Sequence, residues 1–144
     1  MKGVLRGVSF EGISPEDFFG QFHRLLTDSG REWYVDDVEL NELPFRAGRY
    51  TGAELERALN EQPALSFARI RRYPAGAQAG RIEEYGDYAQ SGCDLLILYY
   101  DGGFWDVYAK DEGLIHELYG FCRDRELDGA ELIDETDCRT RMYF

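Results

Sequence analysis

Histidine and cysteine, on which most metal sites and nucleophilic catalysis depend, are scarce here: His23 and His116, with Cys93, Cys122 and Cys138, in 144 residues. An odd number of cysteines at long spacing is not a disulfide framework, and the lack of a C-x-x-C pair excludes a zinc ribbon or thioredoxin-type motif. Free thiols suit a reducing compartment. H-E-x-x-H is missing, because His116-Glu117 continues as Leu118-Tyr119-Gly120. His116 and Cys122 would lie six residues apart on one helix. That is a rotation of about 600°, equivalent to −120°, so the two cannot form a dyad. G-x-x-x-x-G-K-[ST] and G-x-G-x-x-G are missing too, which excludes the usual phosphate-cradling loops. No metal and no cofactor is expected.

Long apolar runs are also missing. The longest, Leu95 to Tyr100, is far too short to cross a bilayer, and Met1 to Phe10 lacks the apolar run of a signal peptide. The expectation is a cytoplasmic protein. Positive charge is the last scarcity: 16 basic residues against 28 acidic ones, a formal charge of −12. Such a field repels phosphate backbones and anionic lipid, so neither nucleic acid nor membrane is an expected partner, whereas a basic protein is attracted. High charge also keeps a protein in solution, and composition alone leaves both readings open.

What is present can build a core. Hydrophobic residues make up 44% and aromatics 15%, unlike a disordered acidic chain. The length fits a single domain over residues 1–144. Val4 to Phe10 reads as a strand. Ser14-Pro15-Glu16-Asp17 opens a helix with Ser14 as N-cap, and Phe18, Phe22, Leu25 and Leu26 form its apolar face before Gly30 stops it. Trp33 to Leu40 reads as a strand, followed by a loop holding Pro44, Gly48 and Gly52. Thr51 and Glu54 have capping-box spacing at the head of a short helix. Ala64 to Tyr73 is a third strand, and Arg81 to Gln90 reads as a short helix. Cys93 to Tyr100 is apolar on both sides, as a doubly covered strand requires. Asp101-Gly102 turns it into Phe104 to Lys110. A helix from Asp111 follows, with Leu114, Ile115, Leu118 and Cys122 buried. Ala130 to Ile133 and Arg139 to Phe144 read as strands flanking the acidic turn Asp134 to Asp137. The expected fold is α+β, with a mixed or mainly antiparallel sheet of about six to seven strands and three helices packed on it.

Candidate binding groups divide between structural and functional readings. Alternation places Arg69 and Arg71 on one strand face and Arg72 on the other. They either pair with the acidic surface, adding little stability, or bind an anion. Arg139 and Arg141 share a face near Asp134 and Asp137, forming either an ion-pair ladder or a grip for carboxylate or phosphate. The Asp134–Asp137 cluster lacks the glycine and distal glutamate of a calcium loop and fits a solvated turn. Trp33 and Trp105 are either core or aromatic anchors.

At these residues a family resemblance emerges. Arg6-Gly7-Val8-Ser9-Phe10-Glu11, Cys93 with Leu95-Leu96, Asp106-Val107-Tyr108 with Lys110-Asp111, and Asp137-Cys138-Arg139-Thr140-Arg141 resemble the domain-of-unknown-function family 2691 of Bacillus-like Firmicutes. Cys138 departs from it, standing where a polar residue is expected. The resemblance implies a single-domain bacterial cytoplasmic protein and no particular reaction.

The leading functional expectation is a non-enzymatic protein-binding module, of inhibitor or immunity type, with a basic partner. Its binding residues would be Trp105, Asp134, Asp137, Arg139 and Arg141, aided by Asp36-Asp37-Glu39. The alternative is a small enzyme or ligand-binding protein with a pocket near Cys93, Tyr99, Arg139 and Arg141. A homo-oligomer built through tyrosine and phenylalanine is a third reading.

Overall fold

The computed structural model describes residues 4–27, 30–36, 47–61, 66–101, 103–137 and 142. One antiparallel sheet organises them. Its strands are β1 (Leu5–Glu11), β2 (Arg31–Asp36), β3 (Gly48–Tyr50), β4 (Ala68–Pro74), β5 (Leu95–Tyr100), β6 (Phe104–Ala109) and β7 (Asp128–Asp134), in the spatial order β3-β2-β4-β5-β6-β1-β7. Every pairing is antiparallel, so of the two sheet types expected it is the antiparallel one that forms. The helices are α1 (Pro15–Gln21), α2 (Arg24–Thr27), α3 (Gly52–Glu61), α4 (Tyr85–Gln90) and α5 (Glu112–Asp124).

Alternation along the strands sorts side chains into two layers. Val8, Phe10, Trp33, Ile70, Leu95, Ile97 and Trp105 belong to a large core under α1, α2, α3 and α5. On the opposite side a smaller core joins Tyr73, Leu96, Leu98 and Tyr108 to Ile82, Tyr88, Cys93 and Met142. Both faces of β5 are therefore covered, which is why its sequence is apolar throughout.

The helix starts follow the sequence signals. Ser14 accepts from the Asp17 amide at 3.1 Å, and the Thr51–Glu54 box closes in both directions at 2.9 and 3.1 Å. Three features differ from expectation. The helix read over Arg81 to Gln90 forms only as α4, from Tyr85. The segment from Ser14 to Gly30 breaks into α1 and α2, because Leu25 and Leu26 bond to carbonyls three residues back and tighten the turn. Residues 48–50, placed by the sequence in a loop, form the edge strand β3 against β2. The expected strand at 139–144 lies outside the described residues except for Met142, which is fully buried.

Candidate functional site

The three arginines of β4 are the least expected feature. All are buried, at 7–9% exposure, so the pairing anticipated from the sequence exists but not on the surface. Arg69 grips Asp36 bidentately, Nε to Oδ1 at 2.7 Å and Nη2 to Oδ2 at 2.5 Å, while its Nη1 donates to the carbonyls of Ile82 and Met142. Arg71 donates to the Tyr73 hydroxyl at 3.0 Å and the Gly80 carbonyl at 2.8 Å, and reaches Asp36 at 3.3 Å. This network stitches β2, β4, the chain after β4 and Met142 into the smaller layer.

Arg72 points to the other face, toward the large core. Its Nε donates to Asp94 Oδ1 at 2.8 Å, and Arg31 Nε meets Asp94 Oδ2 at 2.9 Å. One carboxylate thus holds two guanidinium groups. Above them, between α2 and the start of α5, opens a cleft of about 900 Å³, within the size range of small-molecule sites. Arg24 and Lys110 stand at it as well. Arg24 pairs with Glu117, and Lys110 donates to the Ser91 carbonyl with its Nζ 5.1 Å from the Tyr88 ring centre. Alternation along β4 offered the signal for this site, a lone charged side chain on an otherwise apolar face. The pairing of Arg72 beside Leu95, which sets Asp94 within reach, is a register that no local pattern encodes.

Of the residues expected to bind, Trp105, Asp134 and Asp137 are among those described. Trp105 is fully buried, with its indole N–H donating to the Ile13 carbonyl at 2.8 Å. Trp105 fills the core reading and offers no atom to a partner. Asp134 and Asp137 are half-buried at the end of β7. The Asp134 carboxylate accepts from the hydroxyl and amide of Thr136, which holds its pKa below the usual range. Arg139 and Arg141, like Asp37, Glu39 and Cys138, lie outside the described residues. The pocket expected near Cys93 and Tyr99 does not bring those two together, because Cys93 belongs to the smaller core and Tyr99 to the larger one, against Trp105.

Two thiols and two imidazoles are among the described residues. The Cys93 thiol donates to the Leu95 carbonyl at 3.2 Å, and burial pushes its pKa up to about 11. Burial does the same to Cys122. His23 is exposed and pairs with Glu56, and His116 lies 3.8 Å from Glu112. Among the described residues no group of three or more His, Cys, Asp or Glu side chains is placed to hold a metal ion. None of their helices is long and apolar enough to cross a membrane. The buried Tyr88 hydroxyl has no hydrogen-bond partner among them.

Comparison with known proteins gives the lineage of this antiparallel α+β sheet. The chain belongs to the family described as "Protein of unknown function (DUF2691)", matched over residues 21–143. It is 27% identical over 151 residues to the uncharacterized protein YncE of Bacillus subtilis (strain 168), covering 95% of this chain and 97% of that protein. No solved structure matches.

Proposed function

We propose that the chain is a non-catalytic binding protein that presents an acidic exterior to a basic protein partner. One observation carries the reading. Among the described residues the fully buried charges are three arginines, Arg69, Arg71 and Arg72, and one carboxylate, Asp106, with Asp36 and Asp94 part-buried beside the arginines. The carboxylate excess of the described residues is therefore left facing outward. The edge strand β7 and the turn after it concentrate this excess in Asp128, Glu131, Asp134, Glu135 and Asp137. A charged edge strand resists pairing with another copy of itself. The same row of carboxylates steers a basic surface toward it, faster at low salt. Burial raises the pKa values of the Cys93 and Cys122 thiols, which speaks against either as a nucleophile.

The test is capture from an extract of the producing organism at low salt, with the immobilised chain compared to a variant carrying Asp128→Asn, Glu131→Gln and Asp137→Asn. The expected result is a basic protein released by raised salt and retained several-fold less by the variant. Equal retention by both forms, or nothing released by salt, sinks the reading.

A further inference from the structure

We infer that the exposed ring of Phe104, with Glu11 and Asp128 beside it, is a seat for an arginine side chain of a protein partner. The inference rests on the reading of the acidic edge given above and names the residue that a basic partner inserts there.

The register builds the site. At one end of the sheet Tyr100 of β5 stands opposite Phe104 of β6, Phe104 opposite Glu11 of β1, and Glu11 opposite Asp128 of β7. Directly opposed residues on antiparallel strands share a face, so two aromatic rings and two carboxylates form one row across the strands. The Phe104 ring stacks on Tyr100 at 5.5 Å between centres and 15° between planes. Stacking fixes the ring and covers one of its sides. Glu11 arrives from the other side, on β1. Its carboxyl carbon lies 3.8 Å from where a Cβ on Gly129 would sit, so the side chain leans toward β7 and away from the ring.

Exposure and charge select the occupant. Among the described residues Val4 and Phe104 are the large hydrophobics left exposed, Phe104 at 41%. Glu11 is half-buried and Asp128 exposed, and neither carboxylate has an ion pair or hydrogen bond among the described residues. Arg125, three residues before Asp128, lies against the Phe121 ring at 5.3 Å. An apolar ring beside two carboxylates without a counter-charge suits a group that is both flat and cationic. A guanidinium is such a group: it stacks on an aromatic face and forks its N–H donors to a carboxylate. An ammonium is a compact, strongly hydrated charge with no flat face to lay on the ring. An uncharged apolar side chain would cover Phe104 but desolvate the carboxylates without giving them a partner.

Calorimetric titration of the full chain with hexa-arginine and with hexa-lysine, at one ionic strength, tests the seat. Hexa-arginine is expected to bind several-fold more tightly. Glu11→Gln is expected to weaken hexa-arginine about tenfold, the worth of one charge-assisted contact. Phe104→Leu, which keeps an apolar side chain and removes the ring, is expected to weaken it about threefold and to erase the preference over hexa-lysine. Glu112→Gln removes an exposed carboxylate from α5 and should leave binding unchanged. If Phe104→Leu fails to fold by circular dichroism, Glu11→Gln decides. Equal affinity of the two peptides for the unaltered chain overturns the proposal. So does equal weakening by Glu11→Gln and Glu112→Gln, which would mark a diffuse charge effect. The seat and the acidic edge can fail separately. A basic protein captured from extract and retained equally by the unaltered chain and by Phe104→Leu leaves the acidic edge standing and removes the arginine seat.

Discussion

At the residue scale, the consequential side chain is Asp36. Its carboxylate pairs with both Arg69 and Arg71, whose side chains are 10–11% exposed. Removing one partner of a buried ion pair leaves a charge with no solvent to stabilise it. Asp36→Asn is therefore expected to lower the unfolding free energy by about 3 kcal/mol or more, read from urea denaturation. The surface pair Arg49–Glu32, with the arginine 64% exposed, should cost under about 0.5 kcal/mol when Arg49 becomes Gln. A similar small loss at both sites would show that Arg69 and Arg71 find water or other acceptors. The sequence showed the alternation of Arg69, Arg71 and Arg72 correctly and their partnership with acidic residues in kind. Their depth was hidden, because burial of an arginine depends on what the chain after β4 and Met142 lay over it, and neither leaves a local pattern.

At the scale of elements, the signals that could be read were those whose physics is local. Ser14, the Thr51–Glu54 box and the apolar faces of α3 and α5 depend on neighbours within four residues, and each forms as the spacing predicts. Contacts between elements were invisible. Gly7 lets β1 approach β6 so closely that an added Cβ would sit 2.0 Å from the Val107 carbonyl oxygen. Gly52 plays the same part between α3 and Leu26, at 1.8 Å. Neither glycine has a positive φ, so it is proximity that demands them. Gly7→Ala and Gly52→Ala should each destabilise by about 2 kcal/mol or more, as overpacking against backbone does. Gly120, inside α5, meets nothing within 4 Å, and Gly120→Ala should stabilise by about 0.5–1 kcal/mol through helix propensity. Thermal and urea midpoints of the three variants check the ordering. Stabilisation by Gly7→Ala would mean the strands have room to spread.

For the whole molecule, charge sets the conditions of stability. The Cys93 and Cys122 thiols have pKa values raised by burial to about 11 from an ordinary 9.0. The folded chain holds these protons more tightly than the unfolded one, so the contribution is complete below pH 9 and lost as pH climbs through about 11. Glu54, Asp87 and Asp134 shift the other way. Glu54 and Asp87 accept chiefly from backbone amides of their own helix starts, and Asp134 accepts from Thr136. Their contribution is present above the ordinary carboxylate range and fades as pH falls below it. Melting temperature should thus plateau across neutral pH and decline at both extremes. At pH 7 it should rise with added sodium chloride, which screens the mutual repulsion behind the net charge of −12. A melting temperature that falls with salt would mean that attractive pairs outweigh that repulsion. The fold class was legible from the apolar β5 and the hairpin signals. The strand order was not, because nothing near residues 5–11 announces that they belong between β6 and β7. That insertion bears on how the protein is made. The stretch from β2 to β6 can zip up neighbour by neighbour as it emerges from the ribosome, whereas β1, synthesised before all of it, must wait about a hundred residues for its first mate. The earliest strand born is among the last to be seated, and until then its apolar side chains are the nascent chain's exposed liability.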